Sequence, residues 1–237
     1  MLSGLEIKRQ IELGNIVIEP FNEKQLNPNS YNIKLGNHLK VYKVVEYGPD
    51  YVQSKISEKM KPYTDKYNEM CKNIKKGESF SEEANNDRTK FIEELMEKRS
   101  QYESEILREI ALDPKKDNEV IDIEIPEEGY VLVPGALYLG TTEEYTETYG
   151  FIPNIDGRST TGRLGIEIHR TAGFGDNGFK GKWTLEITAT HPVIVYPGME
   201  IGQLYYETID GDSSMKYNGK YQNQNDVEQA RVDKEEE

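Results

Sequence analysis

Several features are scarce in this sequence, and each scarcity excludes a class of protein. A single cysteine, Cys71, rules out an intrachain disulfide. No apolar run approaches the roughly 20 residues of a membrane-spanning helix. Basic residues are outnumbered, 29 Lys and Arg against 43 Asp and Glu, and the net charge of −14 argues against a general nucleic-acid binder. We therefore predict no membrane and no nucleic-acid partner.

The first ten residues, MLSGLEIKRQ, carry charges where a secretory signal needs an apolar stretch, so we predict a cytoplasmic protein. The abundance of Lys, Asn, Ile and Tyr is compatible with an AT-rich genome, so the predicted setting is a bacterial or phage-infected cell.

Hydrophobic periodicity predicts a mainly β chain with a helical interruption. Ser3 and Glu6 are spaced as a capping box before a short amphipathic helix. Residues 31–35 alternate as a half-buried strand, and from residue 120 onward short strands are separated by Gly and Pro, which indicates an antiparallel β-barrel or sandwich.

Residues 51–112 have a different character. Of the 60 residues from 51 to 110, 25 are charged, and the apolar residues recur every three or four positions. We predict an inserted antiparallel helical hairpin whose connecting loop is KKGESFSEEANND, residues 75–87. The end of the chain, residues 227–237, has five acidic and two basic residues, and we predict that it is a disordered acidic tail of a single domain spanning 1–237.

The segment DGRSTTGRLGIEIH, residues 156–169, is the first candidate site. Arg158 and Arg163, with three hydroxyl residues between them, supply donors suited to phosphate oxygens. The alternative interpretation is an ordinary polar turn that leads into a strand. A local basic pair in an acidic chain favours an anion site.

The second candidate is TAGFGDNGFKGKWTLEI, residues 171–187. Its glycines permit a tight hairpin close to a ligand, and Asp176 and Glu186 are its acidic candidates. An acidic residue on a strand usually faces solvent. If that face lines a pocket, Glu186 is placed for proton transfer.

Together with PGMEIGQL (197–204), YNGKYQNQ (217–224) and QLNPNSYNIKLG (25–36), these motifs resemble the dCTP deaminase family of the trimeric dUTPase superfamily. The resemblance covers about residues 1–45 and 120–232, with the helical segment outside it. It implies a dUTPase-like distorted antiparallel β-barrel of β-clip or jelly-roll type, with an N-terminal helix and the inserted hairpin. It also implies a hydrolase that deaminates dCTP to dUTP and ammonia in pyrimidine deoxynucleotide metabolism.

The resemblance assigns roles to particular positions. Glu186 matches the general acid/base, and Ser159 and Arg163 match the residues that position water and the base. The nucleotide-binding positions that it implies are Arg158, Thr160, Thr171, Ala172, Asp176, Phe179, Tyr217, Lys220, Tyr221 and Gln224. It further implies Mg²⁺ held through the triphosphate with no direct protein ligand, dTTP as an inhibitor, and a homotrimer with sites at subunit interfaces.

Zinc-dependent deaminases need a His or Cys set with an H-x-E and P-C-x-x-C signature. One cysteine and three histidines, at 38, 169 and 191, have no such spacing, so the sequence predicts no zinc. The chain departs from the family at Gly175, at Asn177 and in NDVEQAR, which lacks the usual Gly-Pro.

Three alternatives stay open. A bifunctional enzyme that yields dUMP and pyrophosphate stays open because TAGF, with no basic residue at Phe174, resembles some bifunctional members of the family. A plain dUTPase is disfavoured by the ten-residue step from Asp176 to Glu186. A nucleotide-binding regulator without catalysis is the third, because a fold alone does not establish activity.

Overall fold

The computed structural model describes residues 1–72 and 81–231. These residues form two compact units: residues 1–42 with 114–231, and Lys43–Asp113. The first unit contains helix α1 (Gly4–Glu12), the short helix α4 (Ser159–Arg163) and all ten strands. The strands are β1 (Ile16–Glu19), β2 (Tyr31–Tyr42), β3 (Val120–Glu124), β4 (Tyr130–Leu132), β5 (Tyr138–Thr148), β6 (Phe151–Gly157), β7 (Ile166–Glu167), β8 (Lys180–Ala189), β9 (Val193–Val195) and β10 (Glu200–Thr208).

The main sheet is antiparallel and nearly closed. Its strand order is β6-β10-β2-β5-β8-β7, with β1 paired to β5 and β3 to β2, while β4 and β9 form a separate ladder. The loop after β7, at one end of this order, bonds back to β6 at the other: Ile155 N donates to Gly173 O at 2.6 Å, and Gly175 N donates to Pro153 O at 2.7 Å. The predicted mainly β, barrel-like class is therefore confirmed.

Apolar side chains from β2, β8 and β10 fill the interior of this unit. Ile33, Leu35, Leu185, Ile187 and Leu204 are fully buried. Burial alternates strictly along β8, with its odd-numbered residues inside, as expected for a strand with one face on the core. This alternation fixes which face of β8 carries Glu186.

Helix α1 begins where the sequence predicts, because the Ser3 hydroxyl accepts a hydrogen bond from Glu6 N at 3.3 Å. Ile7 is fully buried, whereas Leu5 and Leu13 are exposed. Ile7 therefore faces the core of the unit, and Leu5 and Leu13 do not.

A carboxylate lies inside the core. Glu144 on β5 is 1% exposed; its oxygens accept from Gln25 Nε2 at 2.8 Å and from Lys34 N at 2.9 Å. Burial raises the pKa of Glu144 above its usual value, although these hydrogen bonds oppose the effect.

The second unit is built from helices α2 (Pro49–Lys72) and α3 (Glu82–Ile110). Val52, Ile56, Met60 and Ile106 form its core. The Tyr67 ring packs against Phe91, and the earlier Tyr63 packs against the later Tyr102. Contacts that go backwards along α2 therefore go forwards along α3, so the two helices are antiparallel.

The predicted loop at 75–87 is wrong over residues 82–87, which belong to α3. The Ser81 hydroxyl caps this helix by accepting from Ala84 N at 3.2 Å, and Glu82 and Glu83 occupy its first turn, where acidic residues are favourable. Residues 75–80 lie outside the described residues.

The predicted disorder of residues 227–237 is wrong for the part that the structure describes. Val227 is 2% exposed, and Glu228 N donates to Thr184 Oγ1 at 3.3 Å. The average composition of residues 227–237 is strongly polar, and it therefore does not reveal that Val227 is buried. Residues 232–237 lie outside the described part of the chain.

In the described part of the chain, no helix is both long and apolar enough to span a membrane.

Candidate active site

A cavity of about 350 Å³ opens beside β8. Its wall combines the loop after β7, the middle of β8, the YNGKYQNQ motif and the C-terminal segment, residues 228–230. Seven of the predicted site residues line it: Ala172, Asp176, Phe179, Glu186, Tyr217, Tyr221 and Gln224. Segments far apart in the sequence thus meet at one cavity.

Glu186 is half-buried on the even-numbered face of β8. Its Oε2 accepts a hydrogen bond from Arg170 N at 2.8 Å, and its own backbone N donates to Ile168 O at 2.9 Å. The first contact joins the carboxylate, and the second the backbone, to the start of the loop that carries Thr171 and Ala172. One carboxylate oxygen is held by the protein, which orients the group within the cavity.

The loop that carries Asp176 is supported by a cluster of three aromatic rings. The Phe179 ring lies 5.2 Å from Trp183 and 5.9 Å from Tyr217, measured between ring centroids. Trp183 Nε1 donates to Thr146 Oγ1 at 3.0 Å. This ring cluster connects β8 to the YNGKYQNQ motif, so the same three rings support two walls of the cavity.

Gln224 is 7% exposed and lines the cavity. Its Nε2 donates to Lys182 O, and its buried Oε1 has no hydrogen-bond partner among residues 1–72 and 81–231. An unpaired buried carbonyl oxygen is costly unless a donor reaches it. A ligand N–H or O–H in the cavity would satisfy this oxygen.

The C-terminal segment forms one side of the cavity through Glu228, Gln229 and Ala230. Ala230 N donates to Tyr42 OH at 3.1 Å. Sequence reasoning missed these residues because it treated the segment as a disordered tail.

Arg231 fastens the segment to the YNGKYQNQ motif. Its backbone N donates to Tyr221 OH at 3.2 Å, and its carbonyl oxygen accepts from Lys220 Nζ at 2.9 Å. The side chain pairs with Glu228 at 2.7 Å, and this hydrogen bond raises the pKa of Arg231 above its usual value. Lys220 is exposed and lies beside the cavity without lining it.

The arginine and hydroxyl residues of the 156–169 motif do not line the cavity of their own chain, whereas His169 at the end of the motif does. Ser159, Thr160 and Arg163 are exposed on α4, and Arg163 Nη1 donates to Ser159 O at 3.0 Å. Arg158 pairs with Glu200 of β10 at 2.7 Å. The predicted positions that do not line the cavity of their own chain are Arg158, Ser159, Thr160, Arg163, Thr171 and Lys220.

The cavity also contains residues that carry no functional signal in the sequence. Trp183 and Thr184 line it, although alternation places them on opposite faces of β8. The β5–β8 pairing shifts register between Thr141 and Tyr145, opposite this part of β8. Such an irregularity cannot be predicted from a period of two.

Comparison with known proteins identifies the family. The family model described as dCTP deaminase-like matches residues 1–79 and 95–209. The chain belongs to this family. The match includes α2 and most of α3, so the expectation that the helical segment lies outside the family's pattern is wrong.

Curated relatives of this family align with nearly the whole chain. A protein of Clostridium acetobutylicum named "dCTP deaminase, dUMP-forming" is 40% identical over 228 residues, which is 96% of this chain and 94% of the relative. A Cytophaga hutchinsonii protein of the same name is 38% identical over the same shares. A crystal structure of 2′-deoxycytidine 5′-triphosphate deaminase from Agrobacterium tumefaciens is 16% identical, with a TM-score of 0.48, covering 87% of this chain and 48% of that chain.

Proposed function

We propose that this protein converts dCTP to dUMP by two hydrolytic steps in one enzyme. The sequence alone favours dUTP as the end product and keeps dUMP as the alternative. Relatives that match 96% of the chain are named dUMP-forming, and this favours the alternative. The structural observation that carries the proposal is the oriented carboxylate of Glu186 in a cavity whose other walls hold Asp176, Phe179 and the C-terminal motif.

In the first step, water attacks C4 of the cytosine ring. Glu186 takes a proton from that water and donates it to ring nitrogen N3, while the water oxygen bonds to C4. Glu186 then takes the second proton from the new C4 hydroxyl and passes it to the amine, so that the C4–N bond breaks, ammonia leaves and the C4 carbonyl forms. The products are dUTP and ammonia. The hydrogen bond from Arg170 N holds one oxygen of Glu186 and leaves the other for these transfers. In the second step, another water cleaves the α–β phosphate bond, which gives dUMP and pyrophosphate.

The triphosphate is proposed to lie near Lys220 and Tyr221, where ammonium and hydroxyl donors suit phosphate oxygens. Mg²⁺ is proposed to arrive with the nucleotide, where it would offset the negative charge of the triphosphate. Among residues 1–72 and 81–231, no group of three or more His, Cys, Asp and Glu side chains is arranged to hold a metal ion.

We further propose a homotrimer in which α4 of a neighbouring chain completes each site. Ser159 and Arg163 are exposed and do not line the cavity of their own chain, yet the family resemblance places both beside the reacting base. A neighbouring copy would bring these residues to the cavity. The mass of the protein in solution, measured by light scattering, tests the trimer.

The test of function is incubation of the purified protein with dCTP and Mg²⁺, with nucleotides resolved by chromatography and with ammonia and pyrophosphate measured in parallel. Equal amounts of dUMP, ammonia and pyrophosphate are expected. Accumulation of dUTP as the only nucleotide product would establish a deaminase without the second activity. Turnover of dUTP but not dCTP would establish a dUTPase, and turnover of neither would leave a binding protein. Addition of dTTP to the same assay tests the predicted inhibition.

A further inference from the structure

Strand β10 holds the segment at which α4 begins. Arg158 Nη2 lies 2.7 Å from Glu200 Oε2, and Arg158 Nη1 donates to the backbone carbonyl oxygen of Glu200 at 3.1 Å. The neighbouring Thr161 hydroxyl, which is buried, donates to Ile201 O at 3.1 Å. Two successive residues of β10 thus fix the start of α4.

Glu200 is itself fixed from the other side. Asn32 Nδ2 donates to the same Oε2 at 3.0 Å, and Asn27 Nδ2 donates to Asn32 Oδ1 at 2.7 Å. Asn32 is only 6% exposed. The hydrogen-bonded series Asn27, Asn32, Glu200, Arg158 therefore connects three separate sequence motifs, and only the last member lies in the segment assigned to phosphate binding.

The geometry leaves Arg158 able to bind a second anion. A guanidinium has five N–H donors in a fixed fork, and Glu200 uses two of them. The Arg158 side chain is 26% exposed, and three of its five N–H donors are not used by Glu200. An arginine whose orientation is already fixed loses less side-chain freedom when it binds phosphate.

We propose that Glu200 is a positioning residue that orients Arg158 for recognition of the substrate triphosphate. The inference rests on the proposed function. It assigns a role to a carboxylate that touches no substrate, and it explains why a negative charge lies next to a residue that binds an anion.

The test compares Glu200→Gln with Glu207→Gln, a matched control on the exposed end of the same strand. The control is expected to behave as the unaltered enzyme. For Glu200→Gln, KM for dCTP is expected to rise about tenfold, the loss of roughly one charge-assisted hydrogen bond, with kcat within about threefold. Glu200→Asp, which keeps the charge, is expected to recover part of the affinity.

Calorimetry separates positioning from general damage. In the Glu186→Gln background, which prevents turnover, the added Glu200→Gln change is expected to weaken dCTP about tenfold and to leave dCMP unchanged. Equal weakening of both nucleotides, or an unchanged KM for dCTP, would overturn the role of Glu200. If the unaltered enzyme neither binds nor turns over dCTP, the proposed function fails and this role fails with it, an outcome recognisable before any variant is made.

Discussion

The backbone of Gly175 lies directly against the indole ring of Trp183. A Cβ at residue 175 would be 2.6 Å from Cη2 of that ring and 3.2 Å from Cγ of Pro153. The indole is held by Thr146 and Phe179, so it cannot move away at little cost. The loop that carries Asp176 therefore reaches its position only because residue 175 has no side chain.

Gly175→Ala is expected to displace this loop and to lower the free energy of unfolding by about 1–3 kcal/mol, the usual cost of overpacking. KM for dCTP should rise because Asp176 moves with the loop. Urea unfolding and steady-state kinetics measure the two effects. Gly48→Ala is the control, because a Cβ added at Gly48 would have no atom within 4 Å. Equal behaviour of both variants would contradict the packing argument.

Glu186→Gln is expected to lower kcat for ammonia release by about 10²–10⁴-fold, the range for loss of a general acid/base. The amide oxygen can still accept from Arg170 N, so nucleotide affinity should be retained. Ammonia release and calorimetric binding are the measurements. Glu167→Gln, which alters an exposed carboxylate that accepts from Thr188, is the control. Substantial ammonia release by the Glu186 variant would exclude the proposed mechanism.

Glu186→Gln and Arg163→Ala, each inactive alone, are expected to regain activity when their chains assemble in one trimer. If each site takes Glu186 from one chain and Arg163 from the next, a trimer that mixes Glu186→Gln and Arg163→Ala chains has one intact site. Mixed trimers, isolated by two different tags after co-expression, should show about a third of the unaltered activity. Complete inactivity of the mixture, with each variant still trimeric, would place both residues of a site in the same chain.

The buried Glu144 predicts a particular pH dependence of stability. Because burial raises its pKa in the folded state, folding favours its protonated form. Its contribution is fully present below the ordinary value of 4.5 and is lost as pH rises through the folded value. The unfolding free energy of the unaltered protein relative to Glu144→Gln should therefore fall as pH rises from 4.5. Urea unfolding of both proteins across this range measures the difference, and parallel curves would show that Glu144 does not titrate there.

Local patterns in the sequence predict much of the fold. The step of three and four residues indicates α2 and α3, and alternation indicates β2 and β8. The predicted start of α3 is too late because glycine and asparagine near residues 77–86 outweigh the capping signal of Ser81 followed by Glu82 and Glu83. The hydrogen bond from Ala84 N to the Ser81 hydroxyl marks the start of α3, and the composition of the segment does not reveal a single bond of this kind.

The sequence predicts those parts of the candidate site that lie within short continuous motifs. The family resemblance picks out Glu186 and the C-terminal motif, which do line one cavity. It does not indicate that Arg158 pairs with Glu200, 42 residues away. Strand pairing brings these residues together, and no local period encodes that pairing.

Trp183 is the only tryptophan of the chain, and its ring forms part of the cavity wall. Nearly all of the long-wavelength intrinsic fluorescence of the protein therefore originates at the candidate site. A nucleotide that enters the cavity comes within reach of this single fluorophore, and its arrival can be followed by emission in the unlabelled protein. The packing that excludes a side chain at Gly175 thus also supplies an optical probe of occupancy.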